Sequence, residues 1–127
     1  MVGSMIDHTG IRVTDMAKSV AFYTTALAPL GYTLLHQFPG GAGFGAHGQA
    51  DFWLSDAAPP QERIHIAFRA LGRQLVRDFH AAALAAGATD NGAPGLRPHY
   101  HEHYYGAFVR DPDGHNIEAC CHEAFLG

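Results

Sequence analysis

Apolar and polar residues alternate from Met5 to Val13, where β-branched side chains accumulate, and this predicts a strand. A helix is expected next. Thr14 or Asp15 can cap it, and Met16, Val20, Tyr23, Leu27 and Leu30 form an apolar stripe at helical spacing, closed by Pro29 and Gly31. Tyr32 to Gln37 reads as a strand and Pro39 to Gly45 as a glycine-rich turn region. The residues around Phe44 and those from Asp51 to Ser55 read as two more short strands. Residues 56–63, with Pro59-Pro60, read as a linker.

The pattern then starts again. Ile64 to Arg69 predicts a strand, and Leu71 to Ala86 a helix that turns Leu75, Val76, Phe79, Ala83 and Ala86 inward, with Gly87 placed as a C′ glycine. Leu96 to Tyr100 reads as irregular or weakly extended. Tyr104 to Arg110 and His115 to Cys121 read as strands joined by Asp111-Pro112-Asp113-Gly114, a type I turn signal. Sliding the second half onto the first by 57 positions puts His8 on His65, Arg12 on Arg69, Phe22 on Phe79 and Ala26-Leu27 on Ala83-Leu84. The expected fold is therefore α+β: one domain over 1–127, built from two βαβββ repeats, 5–55 and 64–122. Units of about 60 residues are too small to stand alone, so the repeats should share a core and curl their mixed sheets around one cleft.

Composition narrows the function without choosing it. The 127 residues are 47% hydrophobic and 16% charged, which excludes a disordered tail, a fibrous repeat and a disulfide-stapled miniprotein. A formal charge of −4, with Lys18 the only lysine, offers no basic stripe for nucleic acid or an anionic membrane. No apolar run approaches the roughly 20 residues of a membrane span. No signal peptide is read, and Met1 to Ser4 reads as a cloning scar with the native start at Met5. Cys120 and Cys121 are adjacent, a poor geometry for a disulfide, which suggests a reducing cytoplasm. Ten histidines are an unusual number and direct attention to metals.

Position sorts those histidines better than abundance does. His8 and His65 open equivalent strands of the two repeats, and Glu118 lies in the last strand. By alternation His8 shares a face with Gly10 and Arg12, His65 with Ala67 and Arg69, and Glu118 with Asn116 and Cys120. Two imidazoles and a carboxylate make a divalent-metal site with positions left for substrate or water. Pro98 to Tyr105 reads as an aromatic-rich loop at the cleft mouth. Within it His101 and Tyr105 are candidate proton carriers, and Tyr100 a substrate contact. Trp53 and Arg12 are the other candidate substrate contacts. Gly41 to Gly45 is expected to be a hairpin loop rather than a phosphate cradle, since it opens no helix. Cys120 is read as a small buried residue, and His36, His47, His80, His115 and His122 as surface or structural.

Several of these segments carry a resemblance. Ile6-Asp7-His8, Thr14-Asp15-Met16, Ala21-Phe22-Tyr23, the restart at Ile64-His65-Ile66-Ala67-Phe68 and the run Phe108 to Glu118 resemble the vicinal oxygen chelate superfamily. That superfamily includes glyoxalase I, extradiol dioxygenases, fosfomycin-resistance thiol transferases and bleomycin-resistance proteins. The resemblance spans Met5 to His122, and its most specific part is the Asp-Pro-Asp-Gly turn leading to Asn116-Ile117-Glu118. It implies a glyoxalase-like fold, a homodimer, and one divalent ion (Zn, Ni, Mn or Fe) on His8, His65 and Glu118. It also implies lyase, isomerase or dioxygenase chemistry on a small oxygen-bearing substrate, with the ion as Lewis acid and Glu118 beside the reacting atoms. Glyoxalase I has a further Glu on the last strand of its first repeat, where this chain reads Asp51-Phe52-Trp53-Leu54. The alternative is a binding protein that sequesters an aromatic or drug-like molecule, as bleomycin-resistance relatives do.

Overall fold

The computed structural model describes residues 5–56 and 62–124. The expected scar at 1–4 and the 57–61 part of the expected linker lie outside the described residues. The first repeat runs β1 (Thr9–Arg12), α1 (Met16–Ala26), a 3-10 turn (Ala28–Leu30), β2 (Thr33–Phe38), β3 (Gly41–Ala46) and β4 (Gln49–Ser55). The second runs β5 (His65–Arg69), α2 (Arg73–Ala85), β6 (Thr89–Leu96), β7 (Tyr105–Arg110) and β8 (Asn116–Cys121). The sheets have the same topology, β1-β4-β3-β2 and β5-β8-β7-β6, with one parallel pair each. The two βαβββ repeats of the α+β reading are therefore present. No helix among the described residues is long and apolar enough to cross a membrane.

Local chemistry explains most boundaries. Asp15 caps α1 by accepting from the Lys18 N–H at 3.1 Å. Gly31 and Gly87 follow the helical segments at φ 86° and 104°, conformations that strain any residue with a Cβ. The first strand is shorter than its alternation suggested. It has only β4 to pair with, the ladder begins at Thr9 opposite Phe52, and Met5 to His8 stay outside it, exposed.

One glycine-rich stretch departs from the sequence reading, and a second carries no assignment there. Gly41 to Gly45 is no loop but β3, buried between β2 and β4. Its glycines make room for neighbours: a Cβ on Gly43 would stand 2.6 Å from the Trp53 ring, and one on Gly41 2.4 Å from the Phe38 ring. The turns lie beside it, at Gly40 and at His47-Gly48, all with positive φ. Likewise Thr89 to Leu96 forms the edge strand β6 despite Gly92, Pro94 and Gly95. Two register shifts there absorb residues that a central strand would not accept.

Each sheet carries its helix on one face. Phe22, Tyr23 and Ala26 of α1 and its C-cap Leu27 share a core with Ile11, Phe44, Phe52 and Leu54, and Val76, Phe79 and Ala83 of α2 join Val109, Ile117 and Ala119 in the same continuous core. The repeats are joined through the Asp111 turn. Tyr23 donates to Asp111 Oδ2 at 2.5 Å, and Thr14 Oγ1 donates to Asp113 at 2.7 Å. Buried His115 accepts from the Ile64 N–H at 3.1 Å and donates to the Arg12 carbonyl, also at 3.1 Å. The other face of each sheet is left without a helix, and that is where the chemistry lies.

Candidate metal centre

Strand register gathers the site on the open face of the second sheet. Ala67, Glu118 and Phe108 lie side by side on β5, β8 and β7, so Glu118 points away from α2. It is nevertheless only 2% exposed, an unusual state for a carboxylate, because neighbouring rings close over it. His65 Nε2 stands 3.0 Å from its Oε1. The Tyr104 hydroxyl donates to its Oε2. Gly106 makes this packing feasible, since a Cβ there would come within 3.2 Å of both Glu118 Oε2 and the Tyr104 ring.

The tautomer of His65 follows from its second contact. Its Nδ1 lies 3.1 Å from the Asn116 carbonyl oxygen, which can only accept, so the proton is on Nδ1. In the neutral ring Nε2 then presents a lone pair to a carboxylate oxygen. Two acceptors at 3.0 Å repel unless a proton or a cation neutralises them. Two donors bound at right angles to one ion, each at about 2.1 Å, stand about 3.0 Å apart. The backbone carbonyl behind His65 and the tyrosine behind Glu118 are the outer partners that orient metal ligands elsewhere. The residues present therefore fit a divalent ion.

The other candidates fall in several places. His8 is not on the first strand but just ahead of it, 61% exposed at its side chain and bonded to its neighbour Asp7 at 2.8 Å. It lines a cleft of about 450 Å³ together with Tyr32, Asp51, His65 and Arg69. Among the described residues no three His, Cys, Asp or Glu side chains converge on one ion within the chain. His101 stands in the exposed loop ahead of β7, with Nε2 2.9 Å from His122 Nδ1 and its ring stacked on that of His122. Tyr100 is exposed and meets Tyr104 edge to face. Trp53 lies on the open face of the first sheet, parallel to His36. Arg12 stays exposed at the end of β1.

Tyr105 is a correction. It pairs with Cys121, whose side chain faces α2, and its ring lies under Arg73 and Arg77, on the opposite side of the sheet from Glu118. The hydroxyl that reaches Glu118 belongs to Tyr104, one residue earlier and just ahead of β7, on the side of Gly106 and Phe108. Burial, and then the bond to Glu118, raise the Tyr104 phenol well above its ordinary value, so it stays a donor. Cys120 is buried on the Glu118 face, as its sequence position suggested. Its thiol is pushed up chiefly by that burial, which keeps it protonated and unreactive.

Comparisons agree with this geometry at the level of family and fold. The model of the Glyoxalase/Bleomycin resistance protein/Dioxygenase superfamily matches residues 5–119. A glyoxalase/bleomycin resistance protein from Albidiferax ferrireducens T118 is similar at 27% identity and TM-score 0.83, over 93% of this chain and 99% of that one. A lactoylglutathione lyase from Agrobacterium tumefaciens shares the fold at 20% identity and TM-score 0.70, over 93% of both chains. A glyoxalase-related enzyme from Fulvimarina pelagi does so at 17% identity and TM-score 0.73, over 93% of this chain and 88% of that one. No curated protein matches the chain significantly in sequence.

Proposed function

The chain belongs to the glyoxalase/bleomycin resistance protein/dioxygenase superfamily, and from that premise we propose that it is a metal-dependent enzyme acting on a small oxygen-bearing substrate. The observation that carries this reading is the buried Glu118 carboxylate facing Nε2 of His65 at 3.0 Å, each held from behind by a neighbour, Tyr104 and the Asn116 carbonyl. His65 and Glu118 would hold one divalent ion, with His8 as third ligand. Delivering His8 costs only an exposed bond to Asp7, and His8 already lines the same cleft as His65. A homodimer covering the open sheet faces would fix it in place. The exposed Ile6, Phe38, Leu96 and Tyr100 are apolar surface that such an interface would bury.

When bound, the ion supplies a Lewis acid that stabilises negative charge developing on substrate oxygen. The chain's own residues do the rest. Tyr104 holds Glu118 Oε2 and so orients the carboxylate that would hold the ion with His65. The Asn116 carbonyl keeps the His65 proton on Nδ1. His101, exposed and in contact with His122, would exchange protons between the site and solvent. On β4, Trp53 supplies an aromatic wall in place of a further carboxylate.

Metal analysis of untagged protein tests the reading. Stoichiometric divalent metal that is lost in His65→Ala and in Glu118→Ala is the expected result. Tight ligand binding by metal-free protein, unchanged in both variants, would favour the sequestering alternative, for which the parallel Trp53 and His36 rings are the best support.

A further inference from the structure

Arg97 takes no part in the centre described above, yet its head group lies on the same sheet face. The guanidinium carbon sits 5.4 Å from the centre of the Phe108 ring, and that ring also stacks with His65 at 6.2 Å. The side chain folds back over the bulged edge strand β6. Nη1 donates to the Gly95 carbonyl at 2.9 Å and to that of Leu96 at 3.5 Å, and Nη2 donates to the Ala93 carbonyl at 2.9 Å. Two glycines clear its path: a Cβ on Gly92 or on Gly95 would stand 3.2 Å from a guanidinium nitrogen. Every hydrogen-bond partner of the Arg97 side chain is thus a neutral carbonyl. Among the described residues no carboxylate pairs with it, whereas Arg69 has Glu123.

A half-buried, permanently charged group held by carbonyl dipoles and an aromatic ring on an open sheet face is arranged to receive an anion from outside. Gly92, Phe108 and Glu118 are neighbours across three strands, so the guanidinium stands about two strand spacings, about 10 Å, from the carboxylate of the metal centre. We infer that Arg97 is a specificity residue which binds a second acidic group of the substrate. The substrate class is then an organic dianion: vicinal oxygens at one end and a carboxylate several bonds away. This rests on the metal-centre reading for its first half only, because the arginine site is built without the ion.

The test is calorimetry on the full-length, untagged protein, in Mn²⁺ and separately in EDTA. The two ligands are 2-oxoglutarate and 2-oxopentanoate, which share the 2-oxo acid end and differ in the distal carboxylate. Wild type should bind 2-oxoglutarate about 10-fold more tightly, the scale of one charge-assisted pair. Arg97→Gln should erase that preference while leaving Mn²⁺ and 2-oxopentanoate binding intact, and Arg97→Lys should keep part of it. Circular dichroism establishes that the variants are folded. Loss of both ligands together in Arg97→Gln, or no Arg97-dependent preference in either buffer, would mean a strut for β6 and overturns the inference. Failure of Mn²⁺ to bind would instead defeat the metal reading. The EDTA arm then decides for Arg97, an Arg97-dependent preference supporting it and equal binding overturning it.

Discussion

At the position where the second repeat sets Glu118 beside Ala67 and Phe108, the first repeat sets Trp53 beside Gly10 and Gly43. The strand order and register are the same, and the side chains are exchanged in size and chemistry. A large aromatic ring on β7 leaves room for a carboxylate on β8. A bare glycine on β3 leaves room for an indole on β4, which lies across it and against His36. The duplicated scaffold therefore carries a charged, ligand-oriented site on one open face and a flat aromatic surface on the other. At these positions the difference comes from side-chain exchanges on equivalent strand pairings.

The comparison can be broken at the charged site first. Tyr104→Phe removes the hydroxyl that fixes Glu118 Oε2, and metal affinity should fall about 10–100-fold, as it does when an outer partner of a ligand is lost. Tyr105→Phe, on the α2 side, should leave that affinity unchanged. A metal titration of the two variants separates the faces, and equal effects would show that the register argument is wrong.

The junction between the repeats should respond next. Tyr23→Phe leaves Asp111 Oδ2 without its donor in the interior, at an expected cost of about 1–3 kcal/mol in urea unfolding at neutral pH. The same bond makes stability pH-dependent. Burial, and then the negative charge of Asp111, raise the Tyr23 phenol well above its ordinary value. The native state therefore binds this proton more tightly than the unfolded chain does. The contribution is fully present below about pH 10 and is lost as pH rises further. In Tyr23→Phe the alkaline decline should be shallower.

A smaller effect sharpens the aromatic side. Gly43→Ala places a Cβ 2.6 Å from the indole, so the ring must leave its position along His36. Overpacking should cost about 1–3 kcal/mol. Because Trp53 is the only tryptophan, emission reports its displacement directly, and metal binding should not change.

Much of this arrangement was legible in the sequence because period-two alternation and an offset of 57 positions are strong constraints. They located both repeats, while the grouping of His65 with Glu118 was implied by the family resemblance, since alternation within a strand does not say which faces meet. The misreadings have specific causes. Gly41 to Gly45 looks like a turn because glycine favours turns, yet these glycines exist to admit Phe38, Trp53 and the Gln49 carbonyl, which only packing reveals. Tyr104 was missed in favour of Tyr105 because Pro98 to Tyr105 reads as a loop, although carrying the alternation of Phe108 and Gly106 back to Tyr104 gives the Glu118 face. His8 shares the repeat position of His65 but lacks a strand partner at Asp7 and His8, so symmetry of sequence did not become symmetry of structure. Arg97 has no motif at all. Its role depends on a backbone that bulges to bring three carbonyls under it.

Calorimetric titration of metal-free protein with a divalent ion such as Mn²⁺ addresses the asymmetry of the repeats most directly. One site per chain is expected, lost in Glu118→Ala and in His65→Ala and retained in Trp53→Ala. A second equivalent site, or a single site that survives Glu118→Ala, would contradict it.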